Sequence, residues 1–283
     1  MAGQSPKEYL AKLRELPSLP AVALQALQVA EDPSSTASDL LRVIMSDPPL
    51  AAKVLRVANS VYFHRGHAVS DLQTAIVRLG FSNIRNLLMG VSVIRTFNTY
   101  FIGAPYTRED FWVHSIAVGM VASRLSGENV QLCASSSFVM GLLHDIGQLV
   151  LDRTAREKYA EAVRVADESG IPLFEAEREK LGCDHAAIGG ELLAKWRFPA
   201  ELHEPIRWHH DPDRCDPAHR PHAHLIQAAD WICDARKIGS SGNDHPRRPS
   251  DATLANLKLT DESVSLLAEQ IRNEPLLSIL LPV

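Results

Sequence analysis

His144 and Asp145 sit side by side in FVMGLLHDIGQLVL, residues 138 to 151, a stretch that is otherwise almost wholly apolar. Burying an imidazole and a carboxylate there is costly unless each is paired or bound to a cation, and adjacent nitrogen and oxygen donors suit a metal that accepts both. Gly141 and Gly147 bracket the pair at helical spacing, where missing side chains leave room for another helix or a ligand. A His-Asp dipeptide is common by chance; its apolar setting singles this one out.

Other segments repeat the pattern. His114 shares a helical face with Phe111, Ala117, Val118 and Val121, so its ring points toward a core. His185 shares a face with Ile188, Gly189 and Leu192, and Asp184 is placed to cap that helix. Trp208-His209-His210-Asp211-Pro212 puts two imidazoles at a helix end before a proline turn, and Asp230 lies inside LIQAADWICDA. Each residue alone reads most simply as a hydrogen-bonded core group. Seven of them on five apolar segments are hard to satisfy separately, and the expectation is that His114, His144, Asp145, His185, His209, His210 and Asp230 converge around metal in a bundle interior. Asp110, one turn before His114, reads as a first-turn acid favoured by the helix dipole rather than as an eighth ligand.

The elements that must position these residues are helices. Helical periods run throughout, and no stretch shows the sustained two-residue alternation of a half-buried sheet, so the fold class is all-α. In the first hundred residues Asp32-Pro33, Asp47-Pro48-Pro49 and Gly80 punctuate short amphipathic helices, with Ser38 or Asp39 a candidate cap and Leu40, Leu41, Ile44 and Met45 an inner stripe. Gly103-Ala104-Pro105 reads as a junction, giving an N-terminal bundle over 1–105 packed on a histidine-rich helical domain over 106–283. Helices are expected near 107–126, 137–151, 155–169, 172–181, 184–196, 200–209, 220–238 and 261–274, with 239–249 a polar loop.

Composition excludes several classes. Of 283 residues, 46% are apolar and 22% charged, as in a globular protein. The first 105 residues carry 10 basic and 7 acidic groups and the remainder 19 and 27, and an acidic C-terminal half is a poor match for a phosphate backbone. A helix-turn-helix reading of residues 38 to 59 meets the same objection, since only Lys53 and Arg56 stand in its second helix. Nucleic acid is therefore not the expected partner. No apolar run is long enough to span a bilayer and the first residues lack a signal-peptide pattern, so a cytoplasmic protein is expected. Cys133, Cys183, Cys215 and Cys233 have no CxxC spacing and read as reduced, packed thiols.

Taken together, LPSLPAVALQAL, IMSDPPLAAKVLRVANSVYF, DLQTAIVRLGFSNIRNLLMG, FWVHSIAV, GLLHDIGQLVL, DHAAIGGELLAKWRFP and IRWHHDP resemble the HDOD domains, a branch of the HD phosphohydrolase superfamily. The resemblance implies a metal site of His114, His144, Asp145 and Asp230, with His185, His209 and His210 added where two ions bind and Asp145 bridging them. It implies one or two divalent transition ions, and Fe, Mn, Zn, Co and Ni all suit such donors. If the protein is an enzyme, Asp145 and His144 are the catalytic residues of a metal-dependent phosphohydrolase acting on a phosphoester or nucleotide. Many members of the family it resembles have lost metal ligands, and the family as a whole resembles a regulatory output module more than a proven enzyme, so the retained set implies metal binding more directly than turnover. The GYP signature of related cyclic-dinucleotide phosphodiesterases is absent after His210, where Asp211-Pro212-Asp213 follows, so that activity is not carried over. The expected partner is a signalling protein or a phosphorylated small molecule. Arg78, Arg85, Lys195, Arg207 and Arg236 are available to a substrate phosphate without being assignable and read most simply as surface residues, and His64, Arg65 and His67 lie in a loop that could touch a partner but reads first as a solvated connection.

Overall fold

Asp47-Pro48-Pro49 sets the style of the N-terminal region: the Asp47 carboxylate accepts from the Leu50 N–H at 3.1 Å, and the prolines occupy the first turn, where no intrahelical N–H is needed. The same chemistry starts other helices. Thr36 and Asp39 form a capping box, so Thr36 rather than Ser38 or Asp39 is the cap residue. Asp71 caps onto Thr74, and Gly80, at φ 88°, ends that helix. In the computed structural model, residues 4–13, 21–32, 34–60, 68–97, 106–127 and 134–281 are described, and they contain helices and turns but no strand.

Helices α1 (Pro6–Lys12), α2 (Ala21–Glu31), α3 (Ala37–Met45), α4 (Pro48–Ala58), α5 (Leu72–Leu79) and α6 (Phe81–Phe97) precede α7 (Arg108–Ser126), α8 (Ala134–Leu143) and α9 (Ile146–Thr154). Then follow α10 (Arg156–Ser169), α11 (Leu173–Leu181), α12 (His185–Lys195), α13 (Ala200–Arg207), α14 (Arg220–Ala235), α15 (Asp251–Asn256), α16 (Asp261–Arg272) and α17 (Leu276–Leu280). The fold is all-α, as the periodicity requires. The stripe expected on α3 is narrower than the sequence suggests: Leu40 and Ile44 are buried, whereas Met45 is 60% exposed. The Gly103–Pro105 junction, the loop with His64, Arg65 and His67, and Cys133 lie outside the described residues, while Cys183, Cys215 and Cys233 are buried free thiols.

Helix α7 is the axis of the molecule. Phe111, Trp112, Ile116, Val118, Met120 and Val121 are all buried, the signature of a helix covered on every side. Each such side chain contributes roughly 1.5–3 kcal/mol by leaving water. Helices α8, α14, α16 and α17 pack on it, and α8 also carries α6. At the ends of the chain, α1 packs on α9 and α12, with the Tyr9 hydroxyl donating to the Leu181 carbonyl at 3.0 Å, and α17 packs on α4.

One expectation is overturned in a way that matters for the site. Residues 137–151 are two helices, broken at His144 and Asp145. Asp145 holds φ −95° and ψ 8°, between the helical and extended regions, and its carboxylate caps no N–H of α9. The break lets α9 turn onto α12, where a Cβ on Gly147 would lie 2.0 Å from the His185 carbonyl oxygen. Likewise α8 closes on α7 because Gly141 and Gly119 meet, a Cβ on Gly141 falling 2.7 Å from the Gly119 Cα. The two glycines flanking the His-Asp pair thus admit two different helices.

Candidate metal centre

All seven sequence-selected residues meet in one buried cluster. His114 comes from the middle of α7, His144 from the end of α8, Asp145 from the start of α9, His185 from the first turn of α12, His209 and His210 from the turn after α13, and Asp230 from α14. Exposure ranges from 0% for His114, His144 and His209 to 7% for His210 and Asp230.

Asp145 is the centre of the arrangement. Its Oδ2 lies 3.2 Å from His144 Nε2 and 3.8 Å from His114 Nε2, while its Oδ1 lies 3.0 Å from His185 Nε2. Asp230 Oδ1 closes the first side, at 3.2 Å from His114 Nε2 and 3.4 Å from His144 Nε2. On the second side, His210 Nε2 is 2.8 Å from His185 Nε2, and the His209 and His210 rings are 3.9 Å apart between centroids. Donor atoms of His114, His144 and Asp230, of His144, Asp145 and His209, and of His185, His209 and His210 fall within 4.8 Å of one another, three overlapping sets able to hold a cation.

The outward ring nitrogens explain which atoms face inward. His144 Nδ1–H donates to the Gly141 carbonyl at 2.7 Å, His209 Nδ1–H to the Ile206 carbonyl at 2.7 Å, and His185 Nδ1–H to Glu177 Oε2 at 2.7 Å. Each ring is thereby fixed with the Nε2 lone pair turned into the cluster, as in metal-binding histidines. The consequence is a set of buried orphans: His144 Nε2 and His209 Nε2 have no hydrogen-bond partner among the described residues. Acceptors facing acceptors repel, and a cation between them removes the repulsion. The residues present therefore fit a divalent ion bound by nitrogen and oxygen.

Protonation is the other remedy, and the electrostatics show it. Burial opposes charging His144, but the Asp145 and Asp230 carboxylates overcome it and lift the ring to about 10. Burial would raise Asp145, yet the charged His144 and His185 rings hold it well below the usual carboxylate range. His209 moves the other way, down to about 4, because burial and the positive His144 and His185 rings both disfavour its charge.

Two buried carboxylates in this region escape a reading of the sequence. Glu177 is hidden in FEAEREKL, which looks like a solvated helix face, yet it is fully buried under His185. Asp234 is one helical turn after Asp230, and that spacing is a signal that could have found it. Two of the cations named from the sequence are engaged elsewhere. Arg85 reaches Asn86 and Glu201, and Arg207 pairs with Glu191 and Glu204, so both are held by groups outside the cluster. Nearer to it stand Arg178 and Arg247, 4.8 and 4.6 Å from the centre of the Phe174 ring, which itself stacks on His210 at 4.2 Å; these too are paired, Arg178 with Asp184 and Asp211 and Arg247 with Glu175. Asp110 belongs to the Thr107 capping box of α7, as its position implies. A gap of about 10 Å³, lined by residues that include His210, Asp230, Trp231 and Arg247, reaches the cluster. That is room on the order of one water molecule.

An all-α fold closing on a buried His/Asp cluster defines the class of protein. The chain belongs to the HDOD domain family, whose model matches residues 16–212. Asp230, which completes the cluster, comes from beyond that match. The fold is similar to an HDOD domain protein of unknown function from Geobacter sulfurreducens, at 22% identity and TM-score 0.71 over 97% of this chain and 90% of that one. It is also similar to a Shewanella amazonensis protein named "Putative phosphohydrolase", at 26% identity and TM-score 0.68 over 96% of each chain. Among curated proteins, an uncharacterized protein of Treponema pallidum (strain Nichols) is 25% identical over 211 residues, 74% of this chain and 40% of the relative's length. The chain thus spans less than half of that relative. No helix among the described residues is long and apolar enough to cross a membrane.

Proposed function

We propose that the chain is a regulatory, signal-transducing HDOD module that holds one or two divalent transition-metal ions. His114, His144, Asp145 and Asp230 would ligate on one side and Asp145, His185, His209 and His210 on the other, with Asp145 shared. The observation that supports this reading is the division of labour at Asp145, whose two oxygens face different imidazoles, while three rings of the cluster, His144, His185 and His209, are locked with Nε2 inward. Bound there, a divalent ion supplies Lewis acidity toward a phosphoryl oxygen. The chain's own groups orient the donors, exclude water and hold the negative charge of Asp145 and Asp230. In the same reading residues 1–105 form a unit that presents a surface to a signalling protein, and 106–283 the metal-binding unit.

A metal-dependent phosphohydrolase is the second reading, favoured by the name of the 26%-identical Shewanella protein and by Arg178 and Arg247 beside the cluster. The two readings separate on turnover. With Mn or Fe added, phosphomonoesters, phosphodiesters, nucleotides and cyclic dinucleotides should show no hydrolysis that depends on His144. Hydrolysis abolished by His144→Ala would overturn the module reading in favour of the enzyme.

A further inference from the structure

Glu177 and Asp234 are buried acids with no place in the ligand set, and each touches one histidine of it. Glu177 is fully buried on α11 and accepts two hydrogen bonds through Oε2, from the His185 main-chain N–H at 2.9 Å and from its ring Nδ1 at 2.7 Å. Its other oxygen, Oε1, has no hydrogen-bond partner among the described residues. Asp234 is 5% exposed on α14, and its Oδ1 lies 3.5 Å from His114 Nδ1, a charge contact rather than a hydrogen bond, since that nitrogen has no hydrogen-bond partner among the described residues.

Asp234 is itself held. The Ser241 hydroxyl donates to its Oδ1 at 2.9 Å and the Asn243 amide to its Oδ2 at 2.8 Å. Both donors come from the segment after α14 that reads as a solvated loop in the sequence. In fact Gly239 lies against the backbone of His114, where a Cβ would sit 2.3 Å from the His114 nitrogen, and the Ser240 N–H donates to the Asp110 carbonyl at 3.1 Å. Asn243 also accepts from the Leu173 N–H at the start of α11, the helix that carries Glu177. The strap therefore joins α14, α7 and α11 around the cluster.

We infer that Glu177 and Asp234 are positioning residues, one for each half of the proposed metal site: Glu177 aims the His185 ring through its hydrogen bond to Nδ1, and Asp234 polarises the His114 ring by its charge 3.5 Å from Nδ1. This rests on the metal-binding reading above. A carboxylate behind a ligating imidazole fixes the ring's tautomer and raises the basicity of the nitrogen that faces the metal. The other two fixed rings, His144 and His209, are held by neutral carbonyls, so the pairing of one carboxylate-backed ring with each half is a feature of this chain.

The test is titration of the metal-free full chain with Co²⁺, followed by visible absorption. Wild type should develop a saturable Co²⁺ spectrum. Glu177→Gln and Asp234→Asn keep the size and a hydrogen-bond acceptor but lose the charge, and each should weaken Co²⁺ affinity by about 10- to 100-fold and shift the absorption bands. Glu177→Asp should restore part of the affinity, whereas Glu179→Gln, an exposed neighbour on α11, should change nothing. Asp234→Asn, on a different helix, decides the matter should Glu177→Gln not fold. If wild type takes up no Co²⁺, the metal-binding reading itself falls. If wild type binds and both folded variants bind as tightly with the same spectrum, the reading stands and the positioning role is wrong.

Discussion

At Asp145, one carboxylate serves two groups of imidazoles, and the charge balance around it decides how the protein responds to pH. Without metal, the His144 ring sits at about 10 against an ordinary 6.5. A folded-state value above the unfolded one stabilises fully below pH 6.5, and the benefit is lost as pH rises through about 10. Asp145 is depressed, so its contribution is present above the ordinary carboxylate range and disappears as pH falls below it. Metal needs the neutral ring, so raising pH weakens the competing proton. The metal-free protein should therefore lose thermal stability between pH 6.5 and 10, and the rise in Tm produced by Mn or Zn should grow across the same window. Melting curves with and without metal, taken at half-unit pH steps, check this. A metal-induced shift that stays constant across the window would contradict the charge assignment.

At the scale of elements, two glycines do what no side chain could. Gly147 brings α9 onto α12 at His185, and a methyl group there would overlap main chain, which cannot swing away. Gly147→Ala should destabilise the fold by about 1–3 kcal/mol or more and displace His185. The melting temperature should fall and metal affinity with it. Gly170→Ala, where nothing lies within 4 Å and only φ 66° is at stake, should cost about 1 kcal/mol and leave affinity unchanged. Equal effects of the two substitutions on affinity would refute the role given to Gly147. The sequence reveals the importance of Gly141 and Gly147 through their spacing from His144 and Asp145. It conceals the break between them, because the apolar run 138–151 carries the period of one helix across a turn that only the approach of α12 explains. Short α1, α15 and α17 are equally hidden, since helices of 5 to 7 residues show too little periodicity and owe their existence to packing.

For the whole molecule, the site is a product of distant sequence. Residues from 114 to 230 converge, and the last of them lies past the segment matched by the family model. What made this legible was chemistry rather than order along the chain: charged or imidazole side chains in apolar helices must find partners, and they found one another. Glu177 stayed hidden for the opposite reason, because its helix is rich in Glu, Lys and Arg and nothing in that pattern separates the one buried acid from its solvated neighbours. The strap at 239–249 is legible as a loop but not as a support, since Gly239, Ser241 and Asn243 look alike whether they face water or, as here, the His114 backbone and the Asp234 carboxylate. Metal content of the purified full chain, measured by elemental analysis beside Asp145→Ala, tests the central claim most directly. The account predicts one or two transition-metal ions per wild-type chain and loss of most of that metal in a folded Asp145→Ala protein. Wild type that holds no such metal, even after incubation with Mn, Fe, Zn, Co or Ni, or a variant with unchanged stoichiometry, would contradict it.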